Sequence, residues 1–420
     1  MHLLYLATSF GSLTHTFIAR EVSALRRRGH RVDLLALRPG TAPPASDPEC
    51  DLAGCHWVYP VSWWRVAGAA LKVAVLRPGR WWRAVRAALG APGEPLPARL
   101  KLVGQLLVTT TVLAHVERLA PAVIHAHLAN PPASYAMFLS LLSGIPYTFT
   151  AHAADLYRVP LGNVQKLRQA AGAVAISRYN LRHYRDLVPG YDRAAIIHCG
   201  VPPEAFTFRP RERAGSPLHV LAVGRAVEKK GFADLLDALA LLDPDRHPWR
   251  ATLVGGGPLL AELQRQREAL GLAALEITGP MQQNRIQALL GEADVFCLPC
   301  VEAADGDIDG IPVSLMEAMA SGCPVLSTRV SGVPELLEDG RAGVLVDPHD
   351  PTAIAGGLRR LVDEPDLVQR LSLAGRARIE GGFTVDGEAA RLERFFAGVI
   401  AGALGDELRD RDQDRSSSSR

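Results

Sequence analysis

The segment that most constrains the fold of this 420-residue chain spans residues 294–325. It opens with an apolar run, Asp294–Leu298, of the kind that forms a strand buried inside a parallel sheet. After a loop, an amphipathic helix is predicted to begin at Gly310-Ile311-Pro312, where proline suits the first turn because its missing N–H is not needed there. The amides of that turn have no partners within the helix. Together with the helix dipole they predict an anion site suited to phosphate.

The part of this segment from residue 305 onward carries four carboxylates. Asp305, Asp307 and Asp309 lie in the loop, and Glu317 lies inside the predicted helix, where it can hydrogen-bond polyhydroxyl groups. The Asp-Gly-Asp and Asp-Ile-Asp spacings look like metal-binding pairs, but we expect no metal here because cations elsewhere in the chain can serve a diphosphate. A solvated acidic loop before an ordinary helix is the alternative interpretation.

The start of the chain predicts a βαβ unit. Leu3–Ala7 is predicted to be a strand, His15–Arg28 a helix and Arg31–Leu37 a second strand. The loop after the first strand lacks the GxGxxG pattern of dinucleotide-binding folds. A ligand can approach the backbone closely at the small residues and amides of this loop, Gly11, Ser12 and His15. A plain turn between strand and helix explains the loop equally well.

Two later strands are predicted to end in histidines. They are the run AVIHAH at residues 122–127 and the run IPYTFTAH at residues 145–152. His152 stands at the carboxyl end of its strand, which is where open parallel sheets bind ligands. His125 and His127 alternate with one alanine, and we interpret them as facing opposite sides of the strand rather than as a metal pair.

The second half of the chain predicts a basic loop and two glycine turns at the ends of further strands. Arg225 and Lys230 follow the strand in LHVLAVG, where two fixed cations can neutralise the charge on a leaving diphosphate without a metal. Gly255 and Gly256 follow the next strand and allow a ligand to approach the backbone. Gly279 ends the strand after that. Each feature alone is also compatible with an ordinary surface loop.

Charge is divided unevenly along the chain. Residues 1–200 contain 22 Lys and Arg against 10 Asp and Glu, and the remainder contains 24 against 34. Residues 57–101 hold five of the six tryptophans and eight basic residues against the single acid Glu94. Trp and Arg interleaved around short apolar runs favour contact with an anionic membrane surface. A solvated insertion is the alternative. We do not expect nucleic-acid binding, because no RNA-binding signature accompanies the segment.

Together these motifs resemble the retaining GT-B glycosyltransferases of family four, in particular those of exopolysaccharide biosynthesis. The resemblance lies in the spacing of Asp309 and Glu317 within DGIPVSLMEAMASGCPV, in TAHAADLY, and in the opening run SLTHTFIAREVSALRRRGH. It is interrupted at Asp309 and at His15, where the family usually has Glu. At position 309 the shorter side chain keeps the charge but reaches about one methylene less.

The resemblance implies a role for each of these positions. Glu317 would hold the ribose hydroxyls and Asp309 the hydroxyls of the donor sugar. His152 and Asp155 would line the sugar site. The residues implied for the donor diphosphate are Arg225, Lys230, Gly310, Ile311, Pro312 and Val313, and those implied beside the nucleotide are Gly255, Gly256 and Gly279.

The expected architecture is α/β and GT-B, with two Rossmann-like α/β/α domains facing across a cleft. The proline-, glycine- and charge-rich stretch after the first half of the chain indicates a linker. The boundaries we predict are 1–200 for the acceptor-side domain, 201–217 for the linker, 218–385 for the nucleotide-sugar domain, 386–404 for a helix that crosses back to the first domain, and 405–420 for a disordered tail.

The predicted function is retaining transfer of a sugar from a nucleotide-diphosphate-sugar donor to an acceptor that we expect to be a lipid-linked saccharide. No cofactor and no essential metal are expected. The sequence shows no signal peptide and no apolar run of spanning length, and its six cysteines lack disulfide or zinc spacing. We therefore expect a cytoplasmic enzyme at the inner face of the plasma membrane.

Two alternatives from other classes are left open. The first is a doubly wound oxidoreductase or nucleotide-sugar epimerase, and the missing GxGxxG counts against the oxidoreductase. The second is a non-catalytic, membrane-associated nucleotide-sugar-binding protein, which the departures at His15 and Asp309 would allow.

Overall fold

The computed structural model describes residues 1–10, 16–40 and 54–403. Within these ranges the chain forms two parallel sheets covered by helices, and its internal contacts divide it into two units. The first unit comprises Met1–His198 and the chain from Glu388 onward, and the second comprises Cys199–Gly387. The predicted α/β class with two Rossmann-like domains is confirmed.

The strands are short, and every strand pair among the described residues runs parallel. Their bounds in the first unit are β1 His2–Ala7, β2 Arg31–Ala36, β3 His56–Trp57, β4 Val123–His127, β5 Tyr147–Ala151, β6 Gly172–Ala175 and β7 Ala194–Ile196. Those in the second unit are β8 Leu218–Val223, β9 Trp249–Val254, β10 Leu275–Gly279, β11 Val295–Leu298, β12 Val325–Thr328 and β13 Val344–Val346.

Helices connect these strands. Those up to the end of β7 are α1 Thr16–Arg27, α2 Trp63–Leu76, α3 Pro78–Leu89, α4 Leu96–Leu119, α5 Pro132–Ser143, α6 Asn163–Gln169 and α7 Arg178–Leu187. The later ones are α8 Phe232–Ala240, α9 Leu260–Ala269, α10 Gln283–Glu292, α11 Val313–Ala320, α12 Val333–Leu336, α13 Pro351–Asp363, α14 Pro365–Gly382 and α15 Val385–Ala401.

Both sheets have a doubly wound strand order. The first is ordered β3-β2-β1-β4-β5-β6-β7, and the second β10-β9-β8-β11-β12-β13. The winding direction therefore reverses between β1 and β4 in the first sheet and between β8 and β11 in the second. Ligands of open parallel sheets bind outside the carboxyl ends of the strands at such a reversal. We therefore expect ligands to bind beside the loops that follow these four strands.

The central strands are mostly apolar in sequence, with histidine or threonine at a few positions. Every residue of β4, β5, β8 and β11 is buried, as expected for strands covered by helices on both faces. The observed bounds differ little from the predicted ones: β11 begins at Val295 rather than Asp294, and α1 ends at Arg27 rather than Arg28. Differences of this size are normal at the ends of helices and strands.

The tryptophan- and arginine-rich segment forms α2, α3 and the start of α4. Their inner faces join the core of the first unit through small and branched side chains, namely Val73, Ala84, Ala88, Leu102 and Leu106. Their outer faces expose large apolar residues, which are described under the proposed function. Among the described residues, no helix has the length and hydropathy needed to cross a membrane.

The last described helix, α15, belongs mostly to the first unit. Arg28 pairs with Glu393 at 2.5 Å, and the Phe396 ring packs edge-on against the Tyr5 ring with 6.5 Å between centroids. The backbone amide of His198 donates to the Glu388 carboxylate at 3.0 Å. These contacts join α15 to β1, to Arg28 after α1 and to His198 after β7.

Candidate functional site

The loops after β8 and β11 meet at the carboxyl edge of the second sheet, because these two strands are neighbours. The Val301 amide donates to the Lys229 carbonyl at 3.0 Å. The Ala304 amide donates to the Glu228 carboxylate at 3.0 Å. The strand order therefore brings the predicted basic loop and the predicted acidic loop together, although about 75 residues separate them in sequence.

Lysines and aspartates from the two loops form a charged cluster. Lys230 Nζ lies 2.6 Å from Asp309 Oδ2, and Lys229 Nζ lies 3.2 Å from Asp309 Oδ1 and 3.1 Å from Asp307 Oδ1. All four side chains are mostly buried. Burial alone would raise the pKa of Asp309, but the charges of Lys230 and Lys229 hold it below its usual value. Asp309 is therefore ionised and fixed in place.

Lys230 forms its ion pair with the carboxylate of Asp309. Burial alone would lower the pKa of Lys230, and the charge of Asp309 raises it instead. Lys230 is thus a fixed cation at the reversal point of the sheet, and its contact with a diphosphate stays a prediction. Arg225 is exposed in the same loop. Sequence analysis placed both cations in this loop but did not foresee the contact between Lys230 and Asp309.

The helix α11 begins one residue later than predicted. Its first residue is Val313, and Pro312 is the N-cap residue with φ −64° and ψ 123°. The prediction that Pro312 belongs to the first turn is therefore wrong, because the ring of proline fixes φ but leaves the extended ψ of an N-cap accessible. Ile311 and Gly310 precede the cap, and the Gly310 carbonyl accepts from the Gly332 amide at 3.2 Å.

Glu317 is buried in α11, 7% exposed. The side-chain amide of Gln283, the first residue of α10, donates to Glu317 Oε1 at 3.1 Å. This contact orients the carboxylate that the sequence predicted to bind ribose. Sequence analysis missed Gln283, because nothing in its local pattern distinguishes it from other glutamines near a helix start.

The glycine turn after β9 packs directly against the loop after β8. At Gly255, φ is +149°, and a β-carbon there would lie 1.7 Å from the Gly224 carbonyl oxygen. The carbonyl of Gly256 accepts from the Ala226 amide at 2.9 Å. Gly279 has φ +77° with open space around it, and its carbonyl accepts from the Gly255 amide at 2.9 Å. Gly255 therefore allows the loop after β9 to pack closely against the loop after β8, rather than leaving open space for a ligand at that point.

In the first unit, Asp155 connects the loops after β4 and β5. Its carboxylate accepts from the Ala129 amide at 2.6 Å and from the His152 amide at 3.1 Å. Burial raises the pKa of Asp155, and these two hydrogen bonds oppose the rise. Asp155 therefore fixes the backbone of His152 at the carboxyl edge of the first sheet.

His125 and His127 face the same side of β4, so the interpretation that they face opposite sides is wrong. Side chains alternate along a strand, and residues two apart share a face. With Glu21 of α1 they form a group whose ligand atoms all lie within 4.8 Å of one another, a set that could hold a metal ion. His125 Nδ1 and Nε2 lie 2.8 and 3.1 Å from the hydroxyls of Thr148 and Thr150.

The predicted site residues thus fall into two groups. His152 and Asp155 lie in the first unit, while Arg225, Lys230, Asp309 and Glu317 lie in the second with the glycines and the start of α11. Gly11, Ser12 and His15 lie outside the described residues, as does the predicted tail.

Sequence analysis also missed Lys166, a fully buried lysine in α6. Its side-chain nitrogen Nζ donates to the carbonyls of Leu161, at 2.6 Å, and Ala129. Burial lowers its pKa to about 7, against the opposing charges of Asp155 and Glu94. Ala129, in the loop after β4, is therefore held through both of its backbone groups. Its amide donates to Asp155, and its carbonyl accepts from Lys166.

We expect Lys166→Met to change how stability depends on pH. Between pH 7 and the ordinary lysine pKa near 10.4, unfolded Lys166 is protonated and folded Lys166 is largely not, so wild type gains stability as pH rises. The Lys166→Met variant lacks this gain in stability, because methionine does not titrate. The free energy of unfolding of wild type minus that of Lys166→Met should therefore rise by about 1.4 kcal/mol per pH unit across this window. Urea unfolding at several pH values measures it, and a flat difference would contradict the assignment.

Two family descriptions match the chain in sequence. "Glycosyltransferase Family 4" matches residues 14–205, and "Glycosyl transferases group 1" matches residues 205–378. The first match spans most of the first unit, and the second spans the strands and helices that carry the lysine and aspartate cluster.

Curated relatives cover almost the whole chain. The amylovoran biosynthesis glycosyltransferase AmsK of Erwinia amylovora is 30% identical over 406 residues, which is 91% of this chain and 96% of the relative. The putative colanic acid biosynthesis glycosyltransferase WcaL of Salmonella typhimurium is 29% identical over 373 residues, which is 85% of this chain and 90% of the relative.

A solved structure shares the fold at low sequence identity. Anabaena Alr3699/HepE, crystallised with UDP-glucose, aligns with a TM-score of 0.71 at 16% identity over 95% of this chain and all of the other. This similarity concerns the GT-B fold, in agreement with the two doubly wound sheets. With one relative that is 30% identical and covered over 96% of its length, and with both halves of the chain matched, the chain belongs to the family-four, group-1 glycosyltransferases, as its sequence motifs predicted.

Proposed function

We propose that this glycosyltransferase moves a sugar from a nucleotide-diphosphate sugar to a lipid-linked saccharide during synthesis of a cell-surface polysaccharide, with retention of the anomeric configuration. The observation that carries the proposal is the assembly of Lys230, Asp309 and Glu317 at the reversal point of the second sheet. The names of the relatives AmsK and WcaL, and the UDP-glucose bound to Alr3699/HepE, support the donor and pathway class.

The donor is held by three kinds of group. Glu317, oriented by Gln283, accepts hydrogen bonds from the ribose hydroxyls. Lys230 and Arg225 bind the diphosphate, assisted by the amides at the start of α11. An ammonium has three N–H donors, and the contact with Asp309 uses one of them. Asp309 thus orients the ammonium of Lys230. The same carboxylate accepts hydrogen bonds from hydroxyls of the donor sugar.

The chemistry of this proposal is the one that the family resemblance implies. The bond from the anomeric carbon to the diphosphate breaks, and the new bond to the acceptor oxygen forms on the same face of the sugar. The leaving phosphate takes the acceptor proton, and Lys230 with Arg225 neutralises the charge that it gains. In this mechanism, implied by the family resemblance, no protein carboxylate needs to act as a base.

The stereochemical outcome tests this proposal. Proton NMR of the first product formed from an α-linked nucleotide sugar should show an α-linked product, recognised from the small coupling constant of its anomeric proton for a gluco-configured sugar. A β-linked product would overturn retention while leaving glycosyl transfer itself intact.

The acceptor class is inferred from the outer surface of α2, α3 and α4. On α2 the exposed side chains include Trp64, Leu71 and Val75, which share one face at helical spacing and are 66–68% exposed. The rest of α2, together with α3 and α4, adds further exposed apolar residues, namely Trp63, Leu76, Trp82, Leu89, Leu96 and Leu100. An exposed apolar surface of this extent marks an interaction site.

Cations accompany this apolar surface. Those exposed on the same helices are Arg65, Lys72, Arg83, Arg86 and Lys101. Two other arginines have structural roles instead: Arg77 pairs with Glu117, and Arg80 donates to the Leu142 carbonyl at 2.9 Å. Exposed tryptophans beside exposed cations complement an anionic bilayer, in which rings sit at headgroup depth and cations meet phosphate. We therefore propose that α2–α4 bind an anionic membrane, where a lipid-linked acceptor resides.

Replacing Trp63 and Trp64 together by alanine should weaken binding to anionic vesicles by about a hundredfold, roughly tenfold for each large ring withdrawn from the interface. Sedimentation with phosphatidylglycerol–phosphatidylcholine vesicles measures it. Stability should hardly change, because both rings are more than 60% exposed. The matched control is Leu241→Ala with Leu270→Ala, which removes exposed apolar residues of the second unit. Equal binding by all three proteins would contradict the assignment.

A further inference from the structure

An open recess of about 240 Å³ lies between α3, α5 and α6 of the first unit. Four long polar side chains and two apolar ones line it, namely Arg83, Arg86, Ala87, Leu141, Gln165 and Gln169. The volume is far larger than the roughly 10–15 Å³ that one water molecule requires. Two of the lining residues are cationic and none is acidic, so the recess suits an anion.

The two arginines of the recess are not engaged elsewhere. The side chains of Arg83 and Arg86 form no hydrogen bond or ion pair with any residue that the structure describes. They are exposed and three residues apart on α3, so they share one face of the helix. A guanidinium carries five N–H donors in a planar fork that matches two oxygens of a phosphate. Two adjacent guanidiniums without a carboxylate partner therefore suit a phosphate group.

The helix ends beside the recess do not repel an anion. The carboxyl ends of α5 and α6 carry the negative ends of the helix dipoles. Arg80 donates to the Leu142 carbonyl of α5 at 2.9 Å. Arg193 donates to the carbonyls of Ala170 and Arg168, at the end of α6, at 2.8 and 3.1 Å. These two cations offset the dipoles and leave the charges of Arg83 and Arg86 to act on a ligand.

The polar residues on the α6 side are glutamines. Gln165 and Gln169 are four residues apart, so they share one face of α6. Within residues 1–10, 16–40 and 54–403, neither side chain has a hydrogen-bond partner. A primary amide both donates and accepts. It can donate to a phosphate oxygen and accept from a hydroxyl group. The recess therefore complements a phosphate ester of a polyol better than it complements inorganic phosphate.

Exposed apolar side chains flank the arginines. Trp82 lies four residues before Arg86 and Leu89 lies three residues after it, so all three share a face of α3. Both apolar residues are exposed. A phosphate site bordered by tryptophan and leucine matches the two parts of a membrane lipid, its charged headgroup and its acyl chains.

The recess is separate from the proposed sugar site. Leu141 and Gln169 lie in the last turns of α5 and α6, which lead into the first residues of β5 and β6. They therefore lie toward the amino edge of the first sheet, whereas His152 follows the carboxyl end of β5. A lipid in the recess is not the reacting end of the acceptor.

We infer that this recess binds the phosphate headgroup of an anionic glycerophospholipid. Arg83 and Arg86 hold the phosphate, and Gln165 and Gln169 hold the hydroxyls of a glycerol headgroup. The inference rests on the proposed membrane contact of α2–α4 and deepens it, because one lipid is held in a defined site. Binding at a defined site depends on the geometry of the donors, whereas binding at a diffuse surface depends on its net charge.

Variants that preserve charge separate these two modes. Arg83→Lys with Arg86→Lys keeps both charges but removes both planar forks. Gln165→Ala with Gln169→Ala changes no charge. We expect each double variant to bind phosphatidylglycerol–phosphatidylcholine vesicles about tenfold more weakly than wild type in sedimentation. Arg65→Lys is the matched control, since it changes an exposed arginine of α2 outside the recess and should bind as wild type does.

The variants should fold normally, because the four side chains make no hydrogen bond to other described residues. Unchanged melting temperatures check this. If both double variants bind vesicles as tightly as wild type, the contact is diffuse and the inference is wrong. A tenfold loss in Arg65→Lys as well would also overturn it, because the preference for arginine would then not belong to the recess.

Soluble ligands test the source of the phosphate. In the nitrogen-15-labelled full-length protein, dihexanoyl phosphatidylglycerol below its micelle concentration should shift the side-chain amide signals of Gln165 and Gln169. Glycerol 1-phosphate should shift the same signals with at least about tenfold weaker affinity, because it lacks acyl chains to meet Trp82 and Leu89. Equal affinity for the two ligands would overturn the lipid assignment, and no shift with either would overturn the site itself.

The two experiments also keep this inference distinct from the proposed function. If wild type does not bind anionic vesicles, the proposed membrane contact fails, and the amide shifts still decide whether the recess binds the lipid headgroup. If wild type binds vesicles and both double variants bind equally well, the membrane contact stands and only the recess is wrongly assigned.

Discussion

A Lys230→Met variant should lose about a hundred- to a thousandfold in kcat/KM, the effect of removing one preorganised charge that meets the developing negative charge of a leaving group. It should also lose about 3 kcal/mol of stability, because Asp309 is then a mostly buried carboxylate without its closest cation. Initial rates with saturating acceptor and urea unfolding measure the two effects separately.

A double variant separates these two effects. Adding Asp309→Asn to Lys230→Met removes the unpaired charge, so much of the lost stability should return while activity stays low. Lys229→Met is the matched single control, since Lys229 contacts the same carboxylate at 3.2 Å but lies farther from it than Lys230 does. If the double variant recovers wild-type activity, then Lys230 serves only to satisfy Asp309.

Gly231→Ala should destabilise the protein by about 3 kcal/mol or more. Gly231 follows Lys230 with φ +65°, and a β-carbon there would lie 1.8 Å from the carbonyl oxygen of Pro299. That oxygen belongs to backbone at the end of β11, so it cannot move aside without displacing the acidic loop. Urea unfolding of the variant gives the loss directly.

Gly271→Ala is an unusually close control for this change. Gly271 has the same φ of +65°, but nothing lies within 4 Å of a β-carbon built there. It should cost only about 1 kcal/mol, the penalty for alanine in a left-handed conformation. Equal losses in the two variants would show that the close approach of the loops after β8 and β11 does not matter for stability.

The fold was predictable because its signals are local. A buried parallel strand such as β11 appears in the sequence as a short unbroken apolar run, and some helices have a capping residue or a glycine at one end, such as Ser177 before α7 and Gly144 after α5. The segment from Asp309 to Glu317 was recognised for the same reason, since both carboxylates and the helix start fall within nine consecutive residues.

The parts of the site that were missed depend on tertiary neighbours. Gln283 contacts Glu317 across 34 residues, and Glu21 contacts His127 across 106. No local pattern records such pairs. The error at His125 was different in kind, because the two-residue period of a strand already places it on the same face as His127. Lys166 was overlooked because a single lysine in a helix gives no sign of burial.

The central claim is that the second unit carries the donor site, and ligand-dependent thermal stabilisation tests it most directly. A UDP-, GDP- or ADP-sugar at about a hundred times its Kd should stabilise wild type by roughly 2.7 kcal/mol. The shift should vanish in Glu317→Gln and persist in Glu262→Gln, which changes an exposed carboxylate on α9. No shift with any nucleotide sugar, or the same shift in Glu317→Gln as in wild type, would contradict the account.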